Sequence, residues 1–190
     1  MKTNKIITIV FSLFFCLGSC QSIININGNY EVNIPNAYYK DVDNKLNDFE
    51  GTWVFDDGIN YVKFVLVKKT HMTIWNHYED YLVGELQIKK NGTDLINTLN
   101  NLSNSLPDPR DYNIHGNYLA YNTSPFSEFT SNNFRLKGTI KENGCLSEID
   151  IRTLNLNGQL NIQIFKRKSL EIPQSCVPIL EGGFYYLKKQ

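Results

Sequence analysis

The sequence predicts an all-β protein in which antiparallel strands follow one another as a meander and close into a barrel. Alanine, the best helix former, occurs only as Ala37 and Ala120, whereas β-branched and aromatic residues are frequent. No helical run is long enough to connect parallel strands. A barrel is favoured because closure leaves no exposed sheet edge, and a two-sheet β-sandwich is the alternative. Four tight-turn dipeptides separate the apolar runs: Asp57-Gly58, Asn91-Gly92, Asn143-Gly144 and Asn157-Gly158.

The order of elements follows from the spacing of apolar residues. Val42, Leu46 and Phe49 recur at helical spacing and predict a short N-terminal helix or 3₁₀ segment that ends before Gly51. Beyond it the period is near two, and a shift of apolar parity predicts a β-bulge near Arg152. The predicted strands cover residues 52–55, 62–67, 71–75, 82–89, 94–99, 118–121, 134–141, 149–156, 160–164 and 184–187.

The N-terminus has the pattern of a signal peptide. Lys2 and Lys5 precede an apolar run over residues 6–17, which suits a signal peptide and is too short for a membrane-spanning helix. The run ends in Leu17-Gly18-Ser19-Cys20, which resembles a bacterial lipobox, where the cysteine becomes the lipidated N-terminus. The alternative is an ordinary secretory signal, cleaved near Gln21, that releases a soluble protein.

Lipidation of Cys20 predicts how the chain is divided and where in the cell the protein is located. Residues 1–19 are the signal peptide, 20–37 a lipidated tether, and 38–190 a lipocalin-like β domain of the usual size. The acyl chains would attach the protein to the cell envelope. The residues after Cys20 lack the acidic cluster that marks surface export in some lipoproteins, which favours the outer membrane with the domain facing the periplasm. Secretion is the alternative.

Charge and motif content exclude several classes of function. Nineteen basic and nineteen acidic residues balance, and loss of the two lysines in residues 1–19 leaves the chain near −2. Such a chain has no electrostatic footprint for nucleic acid. The sequence contains no phosphate-binding loop, dinucleotide fingerprint or nucleophile elbow. We therefore expect no cofactor and no enzyme activity, and we expect a monomer.

Two cysteines, Cys145 and Cys176, remain once Cys16 and Cys20 are assigned to the N-terminal signal. In an exported protein these two could form a disulfide between the start of a strand and a late loop. The alternative is two free, partly buried thiols. Neither residue lies in a CxxC pair or beside a histidine, which argues against redox catalysis and against zinc.

The densest polar cluster contains His71, His77, Glu79 and Asp80. Imidazoles and carboxylates this close in sequence could bind a divalent metal, hold a ligand or form an acid–base pair. No HExxH helix directs them to one point, so a solvated loop without a metal is the favoured interpretation. His115 would join the cluster only if the fold brought it near.

The stretch Phe49-Glu50-Gly51-Thr52-Trp53 resembles the entrance motif of the lipocalin, or calycin, family. The motif consists of a short helix followed by Gly51 and Trp53 on the first strand. The resemblance implies a lipocalin-like barrel whose base is closed by the helix. It also implies that Trp53 packs beneath a basic residue from the last strand, for which Arg167 and Lys188 are the candidates.

A longer resemblance covers residues 36–90 well and the remainder loosely. The runs at residues 38–41, 51–53, 63–69 and 78–85 are similar to a domain-of-unknown-function family of small exported proteins from Bacteroidota. The resemblance implies a lipocalin-like β domain behind a signal peptide. It transfers no catalytic residue to this chain.

Two functions fit these features. A non-catalytic binding module would hold a small apolar ligand or a glycan at its barrel mouth, where aromatic runs such as Phe184-Tyr185-Tyr186 favour such contacts. Glycines at the inward positions Gly84 and Gly138 would leave room for a ligand or for a large neighbour. A structural or protein-interaction module of the envelope would instead have a filled interior and an exposed apolar patch.

Overall fold

The computed structural model describes residues 21–27, 34–121, 126, 134–167 and 176–190. Three short 3₁₀ helices, Lys45–Phe49, Leu99–Ser103 and Pro109–Asp111, accompany the strands. The strands are β1 (Ile23–Asn25), β2 (Tyr38–Lys40), β3 (Gly51–Asp56), β4 (Asn60–Ile74), β5 (His77–Lys90), β6 (Thr93–Asn97), β7 (Ile114–Ala120), β8 (Arg135–Glu142), β9 (Cys145–Leu156), β10 (Gln159–Lys166) and β11 (Gly183–Lys189).

Eight of these strands form a closed antiparallel barrel. Its order is β3-β4-β5-β7-β8-β9-β10-β11, so the neighbours follow chain order, and β11 pairs with β3 to close it. The predicted meander barrel is confirmed, and the two-sheet sandwich is wrong. Three of the four predicted turns have the expected backbone: Asn91, Asn143 and Asn157 have φ between 47° and 54°, and each precedes a glycine with positive φ, as type I′ turns require. At Asp57-Gly58 the glycine alone has positive φ.

The long strand β5 organises one side of the barrel. Its first edge pairs with β4 along the whole hairpin, and its second edge is shared by β2, β7 and β6 in succession. Strand β1 pairs in parallel with β2, and Ile26 behind it is fully buried. Residues 21–27, which the sequence places in a tether, are therefore docked on the barrel. Cys20 and the predicted signal peptide lie outside the described residues.

The barrel interior is filled by side chains. Inward positions carry large apolar residues from every barrel strand, among them Trp53, Phe64, Leu86 and Ile149. Gly84 leaves room for a neighbour rather than a ligand, because a Cβ there would lie 2.5 Å from Leu66 Cδ2. A packed interior is usual for a barrel of eight strands.

Two local predictions differ from the structure. The pairing of β9 with β8 and β10 keeps one register throughout, so the predicted bulge near Arg152 is wrong. The parity shift arises because Asp150 and Arg152 are buried on the outer face, which Leu154 and Leu156 continue toward solvent. The segment 71–75 is also not a separate strand, since β4 runs on to Ile74 past a bulge between Lys69 and Met72.

Candidate functional site

The seam between β3 and β11 opens at one end of the barrel. Their ladder has only two residue pairs, Val54 with Lys188 and Trp53 with Lys189, although both strands extend beyond it. Toward Asp56 and Phe184 the two strands separate. Every second residue of an antiparallel strand directs its backbone N–H and C=O groups to the same neighbouring strand. The backbone of Tyr186 therefore faces the same way as that of Lys188, into the open part of the seam.

A cleft of about 480 Å³ lies in this opening, which we call the mouth cleft. Aromatic and aliphatic side chains form its walls, and charged or amide side chains lie at its rim. Hydrogen bonds from Asn60 and from the Ile59 N–H hold the pKa of Asp57 below its ordinary value. The lining residues are Phe55, Asp57, Asn60, Val62, Ile88, Lys89, Lys90, Leu95, Ile179, Leu180, Glu181, Phe184, Tyr185 and Tyr186.

Leu180, which lines the mouth cleft, is held by buried polar contacts with Lys166 and Glu142, which we call the polar lock. Lys166 Nζ lies 2.5 Å from Glu142 Oε1 and donates to the Leu180 carbonyl at 2.5 Å, while the Leu180 N–H donates to Glu142 Oε2 at 2.8 Å. Cys145 and Cys176 are joined by a disulfide with their Cα atoms 5.4 Å apart. Together they fix the segment 176–182 across the barrel end. Burial, followed by the nearby Glu142, raises the pKa of Tyr185 in the cleft.

A second cavity of about 280 Å³ lies on the outer surface of the barrel, which we call the outer cavity. It crosses β5, β7, β8 and β9, where Gly116 and Gly138 are paired. A Cβ on Gly138 would lie 2.5 Å from the His115 carbonyl oxygen, so the close approach of these strands requires glycine. The lining residues are Tyr81, His115, Gly116, Asn117, Lys137, Gly138, Thr139, Glu148, Ile149, Asp150 and Arg167.

Arginines neutralise the carboxylates of the outer cavity. Asp150 accepts from Arg135 at 2.6 Å and from Arg167 at 3.2 Å, and Arg167 Nε lies 3.2 Å from Glu148. His115 Nε2 is 2.7 Å from the Thr139 hydroxyl, and burial lowers the pKa of this imidazole. The cavity therefore presents a neutral imidazole beside paired charges.

The four residues of the polar cluster separate into two groups. His77 Nε2 lies 2.5 Å from Glu79 Oε1, and Asn117 donates to the other Glu79 oxygen. Asp80 accepts from the Tyr38 hydroxyl and from the backbone N–H groups of Asp41 and His71.

The His71 ring lies apart from both carboxylates, stacked on Tyr78 with ring centres 4.1 Å apart. His115 contacts Thr139 and not this cluster. In the part of the chain that the structure describes, no group of three His, Cys, Asp or Glu side chains could hold a metal. The carboxylates are therefore used as acceptors for the protein's own donors.

The residues that resemble the lipocalin motif lie at the barrel end opposite the mouth cleft. Trp53 is fully buried, and its Nε1 donates to the Phe49 carbonyl at the end of the 3₁₀ helix. The basic side chain over its ring is Lys189, with Nζ 5.2 Å from the ring centre, rather than Arg167 or Lys188. Lys188 opposes Val54 across the ladder, so its side chain lies on the other face.

Sequence reasoning identified the aromatic wall of the mouth cleft but not the outer cavity. The run at residues 184–186 is a local pattern and therefore visible in the sequence. The outer cavity combines residues from four strands and Arg167, and its one local signal is the charged outer face of β8, where Lys137 alternates with inward residues.

Within the described ranges, no helix is long and apolar enough to cross a membrane. Comparison with curated proteins and with solved structures gave no match. The sequence model of a family of unknown function, DUF6705, matches residues 1–174. The match covers most of the chain, including seven complete barrel strands, and the protein belongs to this family.

Proposed function

We propose that this protein is a lipid-anchored, non-catalytic binding protein of the cell envelope that holds a small apolar ligand in the mouth cleft. The observation that carries the proposal is the open seam between β3 and β11, with its cleft of about 480 Å³. This volume lies within the range of small-molecule sites in proteins. Because the barrel interior is filled, the ligand would lie at the mouth and not at the centre.

The walls of the mouth cleft favour an amphipathic molecule. Phe55, Val62 and Ile88 present apolar surface at depth, and Lys89, Lys90 and Glu181 surround it with charge. Transfer of the apolar part of a ligand from water into the cleft would be favourable, and its polar end would remain at the rim. A glycan is the second ligand class, since aromatic faces beside Asp57 and Asn60 also suit a sugar ring.

Protein interaction is the second candidate function. Large apolar side chains are exposed around the mouth, including Ile59, Val177, Phe184 and Tyr186. A filled interior next to exposed apolar surface is also what an interaction module would have. A partner protein would then cover the same residues that a small ligand would contact.

A fluorescence titration with N-phenyl-1-naphthylamine, an apolar dye, tests the mouth cleft. We expect the dye to bind the purified protein with an increase in emission, and Leu95→Asp to weaken binding because it places a charge in the cleft wall. Leu156→Asp is the matched control, since Leu156 is 46% exposed against 50% for Leu95 and lies outside the cleft. Equal loss in both variants, or no binding by the wild type, would contradict the proposal.

Native mass spectrometry then separates the ligand classes. Bound fatty acid with no response to a panel of neutral oligosaccharides supports the apolar ligand. The reverse result supports the glycan, and a protein that ignores both panels supports the interaction module.

Labelling with radioactive palmitate tests the anchor. Export and acylation at Cys20 rest on the lipobox-like residues 17–20. We expect the label in the wild type and in Cys16→Ala, because Cys16 lies within the apolar run, and its loss in Cys20→Ala. Label that persists in Cys20→Ala would overturn the anchor and favour a secreted protein.

A further inference from the structure

We propose that the outer cavity is a second binding site and that it takes a small hydroxylated carboxylate of the uronic acid class. The site uses β5, β7, β8, β9 and Arg167, and shares no lining residue with the mouth cleft. Either site can therefore fail its test without affecting the other.

The charges around the outer cavity leave one cation without a carboxylate. Lys137 and Asp150 are direct partners across the β8–β9 ladder. The oxygens of Asp150 are nevertheless engaged by Arg135 and Arg167. Lys137 Nζ lies 5.7 Å from the centre of the Tyr118 ring, and among the described residues no carboxylate lies within ion-pair distance of it.

The two carboxylates that line the outer cavity are thus both paired with arginines, and Lys137 is a lining cation with no carboxylate beside it among the described residues. Burial lowers the pKa of His115, which favours a neutral imidazole at the cavity wall. A ligand carboxylate would pair with the Lys137 ammonium, and this hydrogen bond would be charge-assisted.

Two groups that can bind hydroxyls, Thr139 and Glu148, lie on the same face. They oppose each other across the β8–β9 ladder, two residues along each strand from the pair formed by Lys137 and Asp150. Two residues of strand span about 7 Å, which is comparable to the width of a pyranose ring with its substituents. Glu148 is half exposed and has one short contact with Arg167, and a carboxylate with four acceptor sites can also accept from sugar hydroxyls.

The dimensions of the outer cavity limit the ligand to one ring. About 280 Å³ is available, and Tyr81 is one of the lining residues. A carboxylate at Lys137 and hydroxyls at Thr139 and Glu148, spaced by about one pyranose ring, together describe a hexuronate, either free or at the end of an acidic glycan.

Backbone amide chemical shifts of the purified protein, followed by NMR, test this site. We expect D-glucuronate to shift resonances of β8 and β9 around the cavity, with D-glucose and acetate each binding at least about tenfold more weakly. Titrations with D-galacturonate and with trigalacturonate distinguish the two sources. Tighter binding of the trisaccharide than of D-galacturonate indicates the end of a glycan, and equal binding indicates that one ring is the whole ligand.

Lys137→Met removes the charge and keeps the length of the side chain. We expect this variant to lose the preference for glucuronate over glucose, while the matched variant Lys141→Met, also exposed and outside the cavity on the same face of β8, keeps it. No shift with glucuronate, equal binding of glucuronate and glucose, or an equal effect of both variants would overturn the proposal.

Discussion

Glu85 is a fully buried carboxyl group on the outer face of β5. Its Oε1 accepts from the Asn113 N–H at 3.4 Å, and Oε2 has no hydrogen-bond partner among the described residues. Burial raises the pKa of Glu85, with the contacts to Thr98 and Asn113 opposing the shift. Burial without a partner for Oε2 disfavours the ionised form of the carboxyl.

The raised pKa of Glu85 predicts a dependence of stability on pH. The folded protein holds this proton to a higher pH than the unfolded chain, so its contribution is complete below the ordinary glutamate pKa and is lost as pH rises through the folded value. Glu85→Gln removes the titrating group. We therefore expect the free energy of unfolding of this variant to rise relative to that of the wild type as the pH increases from 4 to 8. Urea unfolding measures this, with Glu181→Gln as the exposed control; parallel profiles for Glu85→Gln and the wild type would refute the assignment.

Asp80 gives a second prediction from a single side chain. Its carboxylate accepts from the Tyr38 hydroxyl at 2.5 Å and from two backbone N–H groups of residues 41 and 71. Asp80→Asn replaces one acceptor oxygen by a donor and leaves a buried donor without its partner. We expect a loss of about 2 kcal/mol in the free energy of unfolding. Asp94→Asn, at an exposed position, should change it little in the same urea experiment, and equal midpoints for the two variants would contradict this role.

At the scale of elements, the segment 176–182 is a cover held at two points. The disulfide fixes its start at Cys176, and the Lys166–Glu142 pair fixes Leu180 four residues later. Ile179 and Leu180 then form part of the mouth cleft. The geometry of the cleft therefore depends on an element that is not part of the sheet.

Removal of the disulfide tests this dependence. For a bridge between residues 31 apart in sequence, the double variant Cys145→Ala/Cys176→Ala should have a free energy of unfolding about 4 kcal/mol lower than that of the wild type. Reductant should bring the wild type down to the level of the variant and leave the variant unchanged. A variant as stable as the oxidised wild type would show that the polar lock alone holds the segment.

The hairpins could be predicted from the sequence because their signals are local. Asn91-Gly92, Asn143-Gly144 and Asn157-Gly158 adopt the positive φ values that their residue types allow. The hairpin turn at Trp75 was missed, because φ is 50° at a tryptophan there and no turn dipeptide marks it. The parity of apolar residues is also misleading where the outer face is itself buried, as at Asp150 and Arg152, and there it predicts a β-bulge that the structure does not contain.

At the scale of the whole molecule, the barrel could be predicted and its cavities could not. The meander follows from the turns and from alternation, since each barrel strand pairs with the next barrel strand along the chain. The mouth cleft depends on where β11 stops pairing with β3, which joins residues more than 130 positions apart. The outer cavity depends on how arginines at 135 and 167 share two carboxylates of β9, and no spacing in the sequence specifies that choice.

The docking of β1 on the barrel determines how the barrel would be oriented relative to the membrane if Cys20 is acylated. Gln21 contacts His71 near the tip of the β4–β5 hairpin, and β1 runs from there in parallel with β2 and β5. Ile23 lies three residues after Cys20, a reach of about 10 Å. The tip of the β4–β5 hairpin would thus face the bilayer. The mouth cleft, at the other end of β4, would lie up to about 45 Å farther from the membrane. A ligand would then load from the aqueous space and not by lateral transfer from the lipid.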